Sequence, residues 1–283
     1  ILIHMAAQPL VRYSYSKPIE TYDVNVIGTA TVLEVARSCS NLKAIINITT
    51  DKCYENEEYD KSYKETDSLG GYDPYSSSKG CAELVASAYR SSFFNDLGIG
   101  LASVRAGNVI GGGDWAEDRL IPDILRSFQK NKPVIIRNQN ATRPWQHVLE
   151  PLSGYLNLGR DLFNNKELNG EGFNFGPRAE QNRTVKELLA DLSKYWNFND
   201  SSDAFIVTDN IYFHEATLLK LDCDKSLALL RWQAILDYQD TIRFTSEWYY
   251  NFYKNLENMS TVTLKQISEY ENIAKSKALK WTV

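Results

Sequence analysis

The chain has 283 residues, a formal net charge of −5 and 43% hydrophobic residues. A chain of this length and hydrophobic content can bury a large core, and we expect one domain with a smaller lobe. The negative net charge and the scattered arginines and lysines argue against nucleic acid as a partner. The sequence has no apolar run long enough to span a bilayer and no visible signal peptide, so we expect a cytoplasmic protein without a membrane partner.

Cysteines and histidines are few and far apart in the sequence. The four cysteines, at positions 39, 53, 81 and 223, have no C-x-x-C spacing, and the three histidines stand at 4, 147 and 214. We therefore predict neither a metal site nor a disulfide framework.

Strand and helix patterns alternate over roughly the first 111 residues. We predict helices over 22–39 and 74–94 and strands over 44–50 and 100–104, an alternation typical of a doubly wound parallel α/β sheet. The pattern then loosens into a mixed α/β part. There we predict helices over 120–130, 148–163 and 185–196 and short strands over 134–136 and 173–175.

Tyr75 and Lys79 stand four residues apart at the start of a predicted helix. Asp73 suits the N-cap and Pro74 the first helical position, so both side chains should lie on one face. A nearby cation favours phenolate and makes Tyr75 a usable general base at neutral pH. The chain has 17 tyrosines, so a tyrosine and a lysine four residues apart can also occur by chance. Whether the pair is catalytic therefore depends on its context of neighbouring motifs.

That context is the polar run that ends a predicted buried strand. The apolar, β-branched segment 44–50 stops at Asp51-Lys52. Ligands of open parallel sheets bind beyond the carboxyl ends of the strands, where Thr50, Asp51 and Lys52 are expected. A solvated turn with a surface ion pair is the alternative interpretation of Asp51 and Lys52.

These motifs resemble the extended short-chain dehydrogenases/reductases, and within them the nucleotide-sugar 4,6-dehydratases, above all the CDP-glucose 4,6-dehydratase branch. Most members have Thr-Asp-Glu where this chain has Thr50-Asp51-Lys52, and the CDP-glucose branch has the lysine. Further matching segments run from His4 to about Asp224, and the tail beyond Asn255 resembles nothing familiar. The segments are His4-Met5-Ala6-Ala7-Gln8, Asn25-Val26-Ile27-Gly28-Thr29, Arg105-Ala106-Gly107-Asn108-Val109-Ile110-Gly111, Gly111-Gly112-Gly113-Asp114-Trp115 and Arg143-Pro144-Trp145-Gln146-His147-Val148.

The resemblance implies that residues 1–111 are part of a Rossmann-like NAD-binding domain whose first βαβ units are absent from this chain. Residues 112–255 would mainly form the substrate lobe, and residues 256–283 a C-terminal tail. The same resemblance implies a lyase that converts CDP-glucose to a 4-keto-6-deoxy sugar with internally recycled NAD, in deoxysugar and O-antigen biosynthesis. A homodimer or homotetramer is expected. The residues implied to contact the cofactor are Ala6, Ala7, Asn25, Thr49, Tyr75 and Lys79.

The implied roles in catalysis follow the family. Tyr75 takes the proton of the sugar 4-hydroxyl, Thr50 hydrogen-bonds the same oxygen, and Lys79 supports the phenolate. Oxidation at C4 acidifies C5, where Lys52 stands in place of the family's glutamate. Asp51 would then be the acid that delivers water from C6. The division of roles between Asp51 and Lys52 stays open, because a lysine is a base only if its pKa is depressed.

The resemblance also implies substrate contacts, each with a structural alternative. Arg143 suits a diphosphate, or is a surface arginine, and Asn108 reaches the same group, or caps a loop. His214 lies where relatives place residues near the nucleotide, although a lone histidine is more often structural, and Trp145 is more often a core residue. The full set is Gln8, Asn108, Arg119, Arg143, His147 and His214.

The Gly-rich turn and the acidic residue that open a dinucleotide fold have no counterpart in the sequence. We expect two or more βαβ units upstream, on the order of 60 residues; a naturally short, cofactor-free relative is the alternative. In the tail, Ile267, Tyr270, Ala274, Ala278 and Trp281 have mostly helical spacing. They indicate either an amphipathic helix that docks on a neighbour or a solvated extension.

Three functions remain in competition. The first is a CDP-glucose 4,6-dehydratase. The second is a nucleotide-sugar 4-epimerase or decarboxylase of the same fold, disfavoured because Asp51 and Lys52 suit elimination. The third is a catalytically silent sugar-nucleotide-binding protein.

Overall fold

The computed structural model describes residues 1–56, 61–136, 138–177, 181–196, 198, 201–208 and 219–282. The described strands, numbered in chain order, are β1 Leu2–His4, β2 Ala44–Ile48, β3 Ser62–Tyr63, β4 Gly100–Ala106, β5 Val109–Ile110, β6 Val134–Ile136, β7 Thr142–Pro144, β8 Gln146–His147, β9 Gly172–Phe175, β10 Asn182–Thr184, β11 Phe205–Val207 and β12 Lys220–Leu221. The described α-helices are α1 Val11–Ser16, α2 Pro18–Tyr22, α3 Gly28–Arg37, α4 Pro74–Tyr89, α5 Asn95–Leu97, α6 Leu120–Phe128, α7 Leu149–Asn164, α8 Val185–Ser193, α9 Asp224–Leu230, α10 Tyr238–Lys254 and α11 Met259–Ser276.

The chain divides into two compact units. Unit 1 comprises residues 1–107, 151–176 and 219–233, and unit 2 comprises 108–150, 177–218 and 234–283. Unit 1 contains a parallel sheet in the order β1-β2-β4-β9. This arrangement of parallel strands with intervening helices confirms the predicted α/β class.

The apolar strands explain the core of unit 1. Every residue of β4 is buried, and in β2 only Ile48 is partly exposed, as expected for strands covered on both faces. The side chains of Leu33, Ile45, Phe94 and Leu101 pack together in one cluster. The register of β2 on β4, which pairs Ile48 with Val104, places the carboxyl ends of the two strands beside one another.

Several predicted boundaries differ from the observed ones. The predicted helix over 22–39 is two α-helices joined by a π-helical turn at Asp23–Ile27, and the helix over 74–94 leaves α geometry at a second π-helical turn, Arg90–Phe94. A one-residue expansion of the helix is not visible in hydrophobic periodicity. The predicted strand over 173–175 pairs with β4, so it lies in the sheet of unit 1 and not in the separate lobe to which we assigned it.

Unit 2 is built from short strand pairs and helices around its own core. The pairs are β5–β8, β6–β11 and β7–β10. Its core contains Phe128, Leu188, Leu192 and Tyr249 in one cluster. The tail is neither a free extension nor irregular, since α11 packs on α10 of the same unit. None of the described helices is long and apolar enough to cross a membrane.

Candidate active site

The candidate site begins at the carboxyl end of β2. After Ile48 the chain forms a single 3₁₀ turn over Asp51–Cys53, with Thr50 as its N-cap. Thr50 Oγ1 accepts a hydrogen bond from the Lys52 amide at 3.3 Å and lies 2.9 Å from Asp51 Oδ1. Thr50 and Asp51 are buried, and Lys52 is half-buried. We call residues 50–53 the 50–53 turn.

Gly107 lies directly against the Asp51 carboxylate. It follows β4, the neighbour of β2, and a Cβ atom placed there would overlap the Asp51 carboxylate oxygens. A side chain at position 107 would displace Asp51. The sequence motif contains this glycine, but nothing in the sequence indicates its partner.

Helix α4 holds Tyr75 and Lys79 as predicted. Asp73 is the N-cap, and its Oδ1 accepts a hydrogen bond from the Ser76 amide at 2.9 Å. Tyr75 lies in the first turn and Lys79 one turn later, and both are buried. Lys79 Nζ donates to the Ile48 carbonyl oxygen at 3.2 Å, so the helix is tied to the end of β2.

Burial controls the charge of Lys79. It lowers the pKa of the ammonium group to about 8, against the opposing effects of Cys53 and Glu83. At neutral pH most Lys79 side chains are still charged. Lys79 can therefore favour the ionised form of a neighbouring phenol.

Asn25 connects the segment after β1 to α4. Its Oδ1 accepts from the Gln8 amide at 2.8 Å, and its Nδ2 donates to the Gln8 carbonyl at 3.0 Å and to Ser78 Oγ at 2.8 Å. Ala6 is exposed and Ala7 partly exposed on this segment. Asn25 thus fixes the path of the backbone beside the start of α4.

Two predicted ligand residues have their side chains engaged by the protein. The Gln8 amide donates to Thr21 Oγ1 at 2.9 Å and to the Leu10 carbonyl at 3.2 Å. The Thr49 hydroxyl lies 2.6 Å from Glu83 Oε1. These contacts argue for structural roles of both side chains, because a small polar group with satisfied partners gains little from a ligand.

Four of the predicted substrate-binding residues belong to unit 2: Asn108, Arg119, Arg143 and His147. Asn108 has a left-handed backbone, with φ of 54°, and Arg119 pairs with Asp114 at 3.0 Å. Arg143 on β7 stands directly opposite Arg183 on β10. His214 lies outside the described residues.

His147 is placed differently from our expectation. The side chain is 2% exposed and packs edge-on against Phe244, with ring centroids 5.3 Å apart. Burial lowers the pKa of its imidazole to about 3, so the ring is neutral. A buried, neutral ring in this packing is a core residue, which argues against the predicted substrate contact. Trp145 is likewise a core residue of unit 2.

Arg183 and Glu83 are the residues that sequence reasoning missed. Arg183 has no motif around it, and only the β7–β10 register places it beside Arg143. Glu83 follows Lys79 by four residues and therefore shares its helix face, which is a signal that the sequence does contain.

The parallel sheet and the Tyr-x-x-x-Lys helix beside a strand-end polar turn define a short-chain dehydrogenase/reductase. A family model described as GDP-mannose 4,6 dehydratase matches residues 1–245, and the chain belongs to this family. A CDP-glucose 4,6-dehydratase of Salmonella typhimurium is 51% identical over an alignment of 275 residues that covers 95% of this chain and 76% of that protein.

Solved structures share the fold at lower identity. A dTDP-glucose 4,6-dehydratase from Streptomyces venezuelae, with NAD and TYD bound, has a TM-score of 0.76 at 22% identity over 91% of this chain and 75% of that chain. A UDP-glucuronic acid 4-epimerase from Bacillus cereus, with UDP-glucuronic acid and NAD, also reaches 0.76, at 20% identity over 89% of this chain and 76% of that one. Fold similarity alone therefore does not separate dehydratase from epimerase.

Proposed function

We propose that the chain is a CDP-glucose 4,6-dehydratase, a hydro-lyase that converts CDP-glucose to CDP-4-keto-6-deoxyglucose. The observation that carries the proposal is the 50–53 turn, which puts Asp51 and Lys52 beside Thr50 at the end of β2. Elimination needs two proton-transferring groups besides Tyr75, whereas epimerisation needs neither. The 51% identity to the Salmonella enzyme supports the choice of the cytidine nucleotide.

The residues of unit 1 fit NAD as the cofactor. Ala6 and Ala7 present small side chains after β1, at the carboxyl edge of the sheet where dinucleotides bind. Asn25 holds that segment to α4, and the buried Tyr75 and Lys79 complete the set. When bound, NAD supplies the acceptor and later the donor of hydride.

Tyr75 is the proposed base for the sugar 4-hydroxyl. The phenolate is favoured by the Lys79 ammonium one helical turn away, and the bond from Lys79 to the Ile48 carbonyl holds that ammonium in place. The Thr50 hydroxyl donates to Asp51 Oδ1 at 2.9 Å, and we propose that it turns to hydrogen-bond the same sugar oxygen when substrate binds. This arrangement removes the proton as C4 is oxidised.

Asp51 and Lys52 are the proposed groups for elimination. Asp51 is buried between Thr50 and Gly107, so its position is well defined, and we propose it as the acid that protonates the departing C6 hydroxyl. Lys52 is half-buried on the same turn and is the proposed base at C5. In this scheme the proton lost from C5 exchanges with solvent.

Unit 2 carries the proposed binding residues for the nucleotide diphosphate. Arg143 on β7 and Arg183 on β10 are opposite each other in the strand register, so two guanidinium-bearing residues stand on one face of the β7–β10 pair. We propose that both contact the diphosphate through charge-assisted hydrogen bonds. Arg119 and Asn108 are proposed to contact the same substrate.

We also propose that the protein self-associates as a homodimer or homotetramer. Four apolar side chains are exposed on helical segments of unit 1 that contact one another, and we refer to them as the apolar stripe: Val24, Ile27, Val35 and Leu84. A second copy of the chain would cover this stripe. The family resemblance further supports a cytoplasmic location and a role in deoxysugar and O-antigen biosynthesis.

The decisive experiment is incubation of the purified protein with CDP-glucose in deuterated water. We expect a product that has lost its C6 hydroxyl and carries solvent deuterium at C5, without net formation of NADH. A product that keeps its C6 hydroxyl would instead establish an epimerase, and tight binding of CDP-glucose without turnover would establish a binding protein.

A further inference from the structure

A buried ion pair lies behind the 50–53 turn. Arg105, near the end of β4, contacts Glu83 of α4 through two hydrogen bonds, from Nε to Oε1 at 2.8 Å and from Nη2 to Oε2 at 3.1 Å. Each side chain is 6% exposed. A bidentate pair of this kind fixes both orientation and distance.

Glu83 holds the residue that precedes the turn. Its Oε1 accepts a hydrogen bond from the Thr49 hydroxyl at 2.6 Å, in addition to the bond from Arg105. Since Thr49 is joined directly to Thr50, the carboxylate of Glu83 fixes the entry of the 50–53 turn. Glu83 also lies one helical turn beyond Lys79, which bonds the Ile48 carbonyl.

Arg105 holds the residue that follows the turn. Its Nη1 donates to the Tyr54 hydroxyl at 2.8 Å, and its guanidinium carbon lies 4.8 Å from the centre of the Tyr54 ring. The Tyr54 hydroxyl in turn donates to Asn174 Oδ1 of β9 at 2.7 Å. Both ends of the turn are therefore anchored to one ion pair.

We propose that the Glu83–Arg105 pair is a positioning device that sets where Asp51 and Lys52 stand relative to Tyr75. The pair connects β4, which leads to Gly107 against Asp51, with α4, which carries Tyr75 and Lys79. The role in turnover rests on the proposed dehydratase function. Glu83 and Arg105 touch no reacting atom in this scheme and act through Thr49 and Tyr54.

A contribution to folding stability is a poor explanation for the buried Glu83–Arg105 pair. Removing two charges from water is costly, and apolar residues of similar volume often replace a buried ion pair without loss of stability. If the pair instead sets the geometry of the site, its replacement should lower the rate of the reaction more than the stability of the fold. A displacement of a reacting group by about 1 Å can cost on the order of 100-fold in rate.

The test uses Arg105→Lys and the double variant Glu83→Gln/Arg105→Met, which removes both charges of the pair. Because Glu83 also favours the charged form of Lys79, the pH dependence of kcat is measured for each variant, so that a change in Lys79 is distinguished from a displaced turn. We expect kcat on CDP-glucose to fall on the order of 100-fold in the double variant, with KM changed less than about threefold. Arg105→Lys, which keeps the charge but loses the second hydrogen bond, should recover part of the rate. Leu33→Ala, a core cavity elsewhere in unit 1, is the control for lost stability and should keep kcat per folded molecule.

Crystal structures of the same variants separate this proposal from the proposed function. We expect the Asp51 carboxylate to move by about 1 Å in the double variant, whatever the substrate is. A folded double variant whose Asp51 keeps its place, or whose kcat equals that of the parent protein, would overturn the positioning role. If the parent protein does not dehydrate CDP-glucose, the proposed function fails, and the position of Asp51 alone decides the present inference.

Discussion

At the scale of single residues, Tyr75 and Lys79 are four residues apart in α4, and both are buried. We predict that Tyr75→Phe lowers kcat on CDP-glucose by about 10³-fold, because removal of the 4-hydroxyl proton occurs only in the transition state. KM should change little. Steady-state kinetics beside Tyr72→Phe, which alters an exposed tyrosine near the same helix, check this. Comparable losses in both variants would count against a catalytic role for Tyr75.

Lys52 should act after the oxidation step. We predict that Lys52→Ala still removes hydride from C4 but does not complete the elimination, because Lys52 has no assigned role at C4. Mixing this variant with CDP-glucose should produce a persistent absorbance of reduced nicotinamide on the enzyme. Tyr75→Phe is the matched variant that should give no such absorbance. If neither variant oxidises the substrate, the assignment of Lys52 to C5 is wrong.

At the scale of elements, Glu150 connects two parts of unit 2, the segment at Ile235 and Leu236 and the tail helix α11. Its carboxylate accepts hydrogen bonds from the Ile235 amide at 2.9 Å, the Leu236 amide at 2.6 Å and the Tyr270 hydroxyl of α11 at 2.9 Å. Burial raises the pKa of this carboxyl to about 7, although those bonds and Lys277 favour the charged form.

The raised pKa has a defined effect on stability. Between about pH 4.5 and 7 the folded state keeps a proton that the unfolded state releases, so this contribution is complete below pH 4.5 and is lost as the pH rises to 7. We predict a loss of the order of 3 kcal/mol, measured as the difference in unfolding free energy between the parent protein and Glu150→Gln. Denaturant titrations at several pH values provide the measurement. A difference that stays constant from pH 4.5 to 7.5 would contradict it.

The boundaries of the helices show where the local sequence pattern is sufficient to predict structure. The start of α4 was predictable because Asp73, Pro74 and the following residues contain the signals of a helix N-terminus within a few positions. The break in the helix over 22–39 was not, because a π-helical turn depends on how the surrounding helices pack. The same limit applies to α11, whose partner α10 could not be identified from its own apolar spacing.

At the scale of the whole molecule, the exposed stripe on the helices of unit 1 is the proposed contact with a second copy. We predict that Ile27→Glu, which places a charge in the apolar stripe, converts the oligomer to a monomer. Light scattering coupled to gel filtration measures the mass. Leu264→Glu, at a similarly exposed position on α11, is the control and should keep the parent's mass. A monomeric parent protein would refute the proposed association.

The sequence by itself determined the class of fold, and it singled out the proposed catalytic set: Thr50, Asp51, Lys52, Tyr75 and Lys79. Each of these lies in a short segment whose own pattern indicates a buried strand, a strand-end turn or a helix start. Local backbone preference and burial are encoded in neighbouring residues, so these features can be read without a partner.

Only the tertiary structure decided which distant residues lie beside that set and beside Arg143. Gly107 against Asp51, Arg105 on Glu83 and Arg183 opposite Arg143 each join positions that are 22 to 56 residues apart in the sequence. It also decided that His147 is a core residue, although its motif suggested a ligand contact. The reason is physical: a buried polar group takes whichever partner the packing brings to it, and the sequence offers many candidates for each.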